Sequence, residues 1–334
     1  MSIPVILDMD NAAGIAGRDV DDALALALAL ASPEVNLVGC TACAGNCRTF
    51  ESAKNTLHML SLAGREDIPT AAGREEPLLR DRSTHFACMD RTLNEPGAAF
   101  WRGMPAQPDQ PPLSQLKAHE LIIEKAREYA GELVLVMVGS LTNLALALLT
   151  APEITPLVRE VIHMGGAYED KDVSWENSTP DIPPEIWRDT LRFNPLFDPE
   201  ASLVVFRSHI PITVVPANVT MSVFLRPGDL EPLRESISAF HRHLFACCTP
   251  WIGWSCACRN LEGMHLHDPL ALALAFRPEL GCYETMQVSE QKLLASEADF
   301  LVKATDGPEV RVATQVQQRH FESILRERLL SGLS

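Results

Sequence analysis

The stretch Val5-Ile6-Leu7-Asp8-Met9-Asp10, followed by Asp19-Val20-Asp21-Asp22 and the alternating Leu/Ala run 23–30, decides the fold class. The first part predicts a short buried strand that ends in carboxylates. The second part predicts a helix, because Ala and Leu are strong helix formers and Asp19 is a suitable N-cap. Leucine at every second position points to all sides of a helix, so we expect this helix to be buried.

Four carboxylates are expected to converge where this strand meets this helix: Asp8, Asp10, Asp21 and Asp22. In open α/β sheets, ligands bind where the carboxyl end of a strand meets the next helix. Close packing of acidic side chains is costly unless a cation or bound protons neutralise them. One interpretation is therefore a divalent metal with oxygen ligands. The other is a solvated loop beside an acidic helix N-terminus, which the helix dipole favours.

Strand and helix patterns alternate along the rest of the chain. The apolar run 133–138 is typical of a parallel sheet, and Asp198-Pro199-Glu200 predicts a helix start. The alternation predicts one α/β domain over residues 1–334, with an open, largely parallel, mixed sheet and helices on both faces. A helix is expected from 229 to about 247, and the tail should contain strands with a hairpin turn at Asp306-Gly307.

The passage 73–113 is long and irregular, which in a compact domain is typical of a functional lid or of disorder. Its aromatic residues, Trp101 among them, favour the lid. Trp251 and Trp254 form a second aromatic segment, and the sequence assigns no role to any of the three tryptophans.

Composition and charge restrict the partners. The chain of 334 residues is 46% hydrophobic and 22% charged, as a folded protein is. A net charge of -16 argues against nucleic acid as a partner. No run approaches the length of a transmembrane helix, and Met1-Ser2-Ile3-Pro4 carries no basic leader, so we expect no membrane association and a cytoplasmic location. The nine cysteines are expected to be reduced thiols.

Polar groups follow several expected strand ends. Taken singly, each of these polar residues, which are named below, has an ordinary explanation as a turn residue, a helix cap or a surface histidine. Their coincidence at one sheet edge favours a site. Besides the first carboxylates they are Asn46, Thr142, Asn143, Asn194, His267 and Asp268.

Six short motifs in this order resemble those of the calcium-dependent nucleoside hydrolases, the inosine/uridine-type ribohydrolases. The resemblance covers most of the chain. The motifs are Asp8-Met9-Asp10 with Asp21-Asp22-Ala23, Ala44-Gly45-Asn46, Leu141-Thr142-Asn143-Leu144-Ala145-Leu146-Ala147, Met164-Gly165-Gly166-Ala167, Phe193-Asn194 with Asp198-Pro199-Glu200-Ala201, and His267-Asp268-Pro269.

The resemblance implies hydrolysis of the N-glycosidic bond of a ribonucleoside or related ribosyl compound. Calcium would be held by the side chains of Asp10, Asp22 and Asp268 and by the backbone carbonyl of Thr142. Asp10 would also be the base for the attacking water, and His267 would protonate the leaving base. The ribose hydroxyls would contact Asp21, Asn46, Asn177, Asn194 and Asp268. The chemistry is coherent, because carboxylates stabilise an oxocarbenium-like ribose and a departing base needs a proton.

Two departures from the family pattern stand out. Residues 11–20 separate Asp10 from Asp21-Asp22, so the metal loop carries an insertion. Arg192 stands where the family has an acid that contacts the ribose. A guanidinium there suits either a neighbouring carboxylate or a substrate carrying a phosphate or carboxylate, for which Arg192 would be a binding residue.

Two other functions remain open. A divergent family member would bind a nucleoside-like or anionic ribosyl ligand with little turnover. A phosphohydrolase of the haloacid dehalogenase type also begins with a strand and Asp-x-Asp. It needs in addition a later lysine and a second acidic pair at a strand end, and the sequence shows no clear match to either.

The expected partners are a small nucleoside-like substrate and further copies of the chain in a homodimer or homotetramer.

Overall fold

Strand β1, Ile3–Met9, sends alternate side chains into two separate hydrophobic cores. Val5, Leu7 and Met9 pack into one core and Ile6 into the other. A strand buried on both faces needs such a nearly continuous apolar sequence. In this computed structural model, which describes residues 2–90, 97–105, 114–168 and 193–331, β1 therefore lies inside the sheet with helices on both sides.

The remaining elements alternate as the sequence predicts. The other strands are Val35–Ala42 (β2), Thr70–Ala72 (β3), Leu133–Met137 (β4), Val158–Met164 (β5), Ile212–Val215 (β6), Phe224–Leu225 (β7), Met264–His265 (β8), Gly281–Val288 (β9), Leu301–Val302 (β10) and Glu309–Val316 (β11). The helices are Asp21–Ala31 (α1), Thr49–Leu62 (α2), Ser83–Met89 (α3), Ala118–Glu128 (α4), Thr142–Thr150 (α5), Phe193–Phe197 (α6), Pro199–Phe206 (α7), Ala217–Thr220 (α8), Ala239–Arg259 (α9), His267–Phe276 (α10), Glu290–Leu294 (α11) and Gln318–Ser331 (α12).

The main sheet has nine strands in the order β10-β9-β11-β6-β5-β4-β1-β2-β3. Every neighbouring pair from β11 to β3 is parallel, and β9 pairs antiparallel with both β10 and β11. Helices α1, α10 and α12 pack in the core on one face, and α4, α5 and α7 pack in the core on the other. The predicted fold class, a largely parallel mixed sheet with helices on both faces, is confirmed.

Helix α1 is buried as expected, with ten of its eleven residues buried. The predicted N-cap is wrong. The helix begins at Asp21 with Val20 at the N-cap position, and no side chain caps it. Asp19 instead accepts a hydrogen bond from the backbone N–H of Val20 at 2.7 Å.

Two expectations for the C-terminal half are also wrong. The helix predicted from 229 to about 247 is α9, Ala239–Arg259, which continues through Pro250 and contains both Trp251 and Trp254. The turn at Asp306-Gly307 closes no hairpin between its flanking strands, because β10 and β11 lie on opposite sides of β9.

The end of β5 shows how closely the chain packs at the carboxyl edge of the sheet. Gly165 has φ +153°, and a Cβ there would lie 2.4 Å from Cδ of Pro195. Glycine therefore lets the segment carrying Asn194 reach the strand end. Within the described ranges, no helix is long and apolar enough to cross a membrane.

Candidate active site

An acidic cluster lies where the first turns of α1 and α10 meet. Asp21 and Asp22 open α1, and Asp268 is in the first turn of α10. One carboxylate oxygen from each of the three lies within 4.8 Å of the others, and all three residues are buried. The backbone N–H of Asp268 donates to Oδ2 of Asp21 at 3.0 Å, which ties the two helix starts together.

Asp10 follows β1 directly and joins this cluster through its backbone. Its N–H donates to Oδ1 of Asp22 at 3.0 Å. Its carboxylate accepts from the backbone N–H of Asn46 at 2.7 Å and from the Asn46 side chain at 3.4 Å. Asn46, in the loop after β2, therefore orients the Asp10 carboxylate with its own amide groups.

The electrostatics of the cluster favour a bound cation. Burial and then the neighbouring carboxylates hold the pKa values of Asp22 and Asp268 well above the usual range. Oδ2 of Asp22 is inaccessible and has no hydrogen-bond partner in the described part of the chain. Carboxylate oxygens in this arrangement suit the flexible oxygen shell of Ca²⁺, so the residues present fit the implied metal.

Thr142 and Asn194 lie at the same edge, and their side chains make contacts within the protein. The Thr142 hydroxyl donates to Oδ2 of Asp198 at 2.8 Å, so its side chain is occupied. The side-chain amide of Asn194 donates to the carbonyls of Val138 and Met164 at 2.5 and 3.1 Å. It thereby holds the ends of β4 and β5 together.

His267 begins α10 and stands next to Asp268. Its Nδ1 lies 2.7 Å from the hydroxyl oxygen of Thr220 on α8. Burial, then the neighbouring His265 and Arg259, hold the pKa of His267 well below its usual value. These surroundings favour the neutral form of the imidazole.

Asp8 does not join the acidic cluster, which corrects the expectation of four converging carboxylates. Its Oδ2 accepts from the hydroxyl of Thr41 at 2.6 Å and from the amide of Asn143 at 2.7 Å. Asn143 also donates to the carbonyl of Ala42 at 3.0 Å. Asp8 thus anchors the start of α5 to the ends of β1 and β2.

An aromatic cluster packs beside the end of α9. The rings of Trp251 and Trp254 stack with centroids 4.8 Å apart, and Trp101, from the short helical turn 97–101, lies 6.0 Å from Trp254. The Arg259 guanidinium carbon is 5.8 Å from the Trp254 ring centre. The expected lid passage is therefore packed on α9 over residues 97–101.

The structure brings together most of the residues that the sequence singled out. Asp10, Asp21, Asp22, Asn46 and Asp268 are joined by contacts or by the cluster itself. Thr142, Asn194 and His267 stand on neighbouring strand and helix ends of the same edge. Asn177 and Arg192 lie outside the described residues.

Sequence reasoning missed three contributors to this edge. Asp198 was expected only as a helix cap, which it is through the backbone N–H of Ala201, but it also binds Thr142. Thr220 contacts His267, and the positive charge of Arg259 lowers the pKa of His267. The one signal in the sequence was the position of Thr220 just after the end of β6.

Comparison with known proteins supplies the family. The sequence profile described as "Inosine-uridine preferring nucleoside hydrolase" matches residues 5–323. The chain belongs to this nucleoside hydrolase family. The "Probable uridine nucleosidase 2" of Arabidopsis thaliana is 30% identical over 324 residues, which cover 94% of this chain and 95% of the relative. The "Pyrimidine-specific ribonucleoside hydrolase RihA" of Photobacterium profundum is 31% identical and covers 98% of this chain and 99% of its own.

A solved nucleoside hydrolase structure agrees with this. The plant nucleoside hydrolase PpNRh1 superimposes with a TM-score of 0.78 at 29% identity, over 99% of this chain and all of that one. As a nucleoside hydrolase, the protein is an enzyme that hydrolyses N-ribosyl bonds. Its strand-end motifs are therefore interpreted as the parts of one active site.

Proposed function

We propose that this nucleoside hydrolase cleaves ribonucleosides with Ca²⁺ bound by Asp10, Asp22, Asp268 and the carbonyl of Thr142. The observation that carries the proposal is the buried carboxylate cluster, in which Oδ2 of Asp22 has no donor among the described residues. When bound, the ion supplies charge compensation to the carboxylates and Lewis-acid activation to the attacking water.

Asp10 is the proposed base. Asn46 contacts its carboxylate with two N–H donors, so its direction is set before substrate arrives. Burial raises the pKa of Asp10 to about 6, which keeps the carboxylate ionised at neutral pH but more basic than a free one. Asp10 takes a proton from the water that attacks the anomeric carbon of the ribose.

The neighbouring polar groups hold the sugar. Asp21, Asn46, Asn177, Asn194, Arg192 and Asp268 are the proposed substrate-binding residues. Asp21 is anchored by the backbone N–H of Asp268, and Asn194 by two strand-end carbonyls, so both are fixed in position. Negative charge beneath the ribose stabilises its oxocarbenium-like transition state.

His267 is the proposed group at the leaving base. It stands beside Asp268 on the first turn of α10 and is partly accessible. There it holds an N–H toward the departing nitrogen as the glycosidic bond breaks.

Two assays test this function. The first measures base and ribose released from uridine and inosine, and the second measures phosphate released from their 5′-monophosphates. A nucleoside hydrolase releases base and ribose in equal amounts. Tight binding of ribonucleosides without release would support the low-turnover alternative, and release of phosphate alone would support a phosphohydrolase.

A further inference from the structure

The contact between Thr220 and His267 joins two elements that are far apart in the chain. Thr220 ends α8, which follows β6, and His267 begins α10. Its hydroxyl oxygen lies 2.7 Å from Nδ1 of the imidazole, a distance typical of a strong hydrogen bond. Thr220 has no solvent-accessible surface, so bulk water does not reach its hydroxyl.

The direction of this hydrogen bond follows from the surroundings of the hydroxyl. Nδ1 of His267 is the single hydrogen-bond partner recorded for the Thr220 hydroxyl within the described residues. A buried O–H group needs an acceptor. If Nδ1 carried a proton and donated it to Thr220, the hydroxyl proton would be buried without an acceptor. The hydroxyl therefore donates and Nδ1 accepts.

A neutral imidazole carries one N–H, and the hydrogen bond at one nitrogen decides where it lies. With Nδ1 accepting from Thr220, the proton lies on Nε2 at the other side of the ring. No hydrogen bond to Nε2 of His267 is recorded in the described part of the chain. Because His267 directly precedes Asp268, a ligand bound at the acidic cluster is the candidate acceptor for this N–H.

We propose that Thr220 is a positioning residue, whose hydroxyl fixes His267 as the tautomer that carries its N–H at Nε2 and donates it to the departing base. This inference rests on the proposed function of the site. As the bond between the anomeric carbon and the base nitrogen breaks, its electron pair stays on the base, and the Nε2–H hydrogen bond stabilises the charge. The water that adds to the ribose gives up one proton to Asp10. The base anion takes up a proton from solvent, and Asp10 returns its proton to solvent.

The test combines a spectrum of the free protein with kinetics. Long-range ¹H–¹⁵N correlation spectra of ¹⁵N-histidine protein report the tautomer of each ring, and His267→Gln identifies the His267 signals among the ten histidines. Wild type and Thr220→Ser should show the Nε2–H form. Thr220→Val, which has nearly the same shape without the hydroxyl, should lose that form.

The kinetic arm uses the same variants. Thr220→Val should lower kcat on uridine by on the order of tenfold, less than loss of the imidazole itself, with KM little changed. It should spare a 4-nitrophenyl riboside, whose leaving group needs no donor, and Thr220→Ser should restore uridine cleavage. Thr249→Val is the matched control, because Thr249 is exposed on α9 and its hydroxyl donates to the carbonyl of Phe245.

The two arms separate the inference from the function on which it rests. An unchanged His267 tautomer in folded Thr220→Val would overturn the inference even if the enzyme cleaves ribonucleosides. Equal loss on uridine and the 4-nitrophenyl riboside would overturn it as well. A Thr220-dependent tautomer in a protein that cleaves no ribonucleoside would support the hydrogen bond and refute the function.

Discussion

The backbone N–H of Asp10 donates to Oδ1 of Asp22 at 3.0 Å, while Oδ2 of the same carboxylate is buried without a hydrogen-bond partner among the described residues. One oxygen of Asp22 therefore joins the end of β1 to the start of α1. The Asp22 carboxylate also has an oxygen within 4.8 Å of an oxygen of Asp21 and of Asp268. A buried carboxylate oxygen without donors is costly unless a cation completes its surroundings.

Asp22→Asn should separate these two roles. The amide oxygen can still accept from the N–H of Asp10, so the protein should fold, but one charge and one ligand are lost. We expect calcium affinity to fall by roughly 100-fold, since ligand charge sets affinity in oxygen-liganded sites. Calorimetric titration measures it, with the exposed Asp67→Asn as control. Wild-type affinity in Asp22→Asn would exclude Asp22 as a ligand.

The stability of the metal-free protein should depend on pH. Burial raises the pKa of Asp10 to about 6 and that of Asp8 to about 7. Between about pH 4 and pH 7 the folded protein binds more protons than the unfolded chain, so the free energy of unfolding falls as pH rises through this window. Calcium competes with the protons on its proposed ligands, Asp10 among them, but not with the proton on Asp8. Its effect on the melting temperature should therefore be larger at about pH 7.5 than at about pH 5, and an equal effect at both would contradict the cluster as the binding site.

Thr142→Val tests whether Thr142 binds calcium through its backbone carbonyl alone. The hydroxyl donates to Asp198 and is buried, so its loss should reduce the free energy of unfolding by about 1–3 kcal/mol. Calcium affinity should stay close to wild type, because the carbonyl remains. Urea unfolding and calcium titration give the two values. A loss of affinity as large as that of Asp22→Asn would give the side chain a direct part in the metal site.

His267→Ala should act according to the leaving group. Without the imidazole, cleavage of uridine or inosine should slow by about 10²–10⁴-fold. A 4-nitrophenyl riboside should be spared, since nitrophenolate leaves without a proton. The exposed His320→Ala is the control for loss of a histidine. If cleavage of both substrates slows equally, His267 positions the sugar and does not donate to the leaving base.

The sheet and its edge were predictable because local pattern and packing agree there. The run of Leu, Val and Met in residues 133–138 is typical of a buried strand, and residues 133–137 form β4. The Leu/Ala run after Asp22 alternates as a strand would, but Leu and Ala are strong helix formers, and the run is the buried helix α1. Since the carboxyl ends of parallel strands share one edge, Asp21, Asp22 and Asp268 were expected to meet, and they do.

What the sequence did not reveal depends on contacts between distant residues. Thr220 and His267 are 47 positions apart, and Thr142 and Asp198 are 56 apart, so no local pattern links either pair. Helix α9 passes through Pro250, where a local rule predicts an end, and burial of Trp251 accompanies its continuation. In each case the outcome depends on tertiary packing between distant residues, which a local sequence pattern does not show.

The most direct test of the account is base release from uridine and inosine by protein stripped of metal, before and after addition of calcium. We expect no release without metal, and release of base and ribose in equal amounts once Ca²⁺ is added. Full activity in the stripped protein, or no base released from any ribonucleoside with calcium bound, would contradict it.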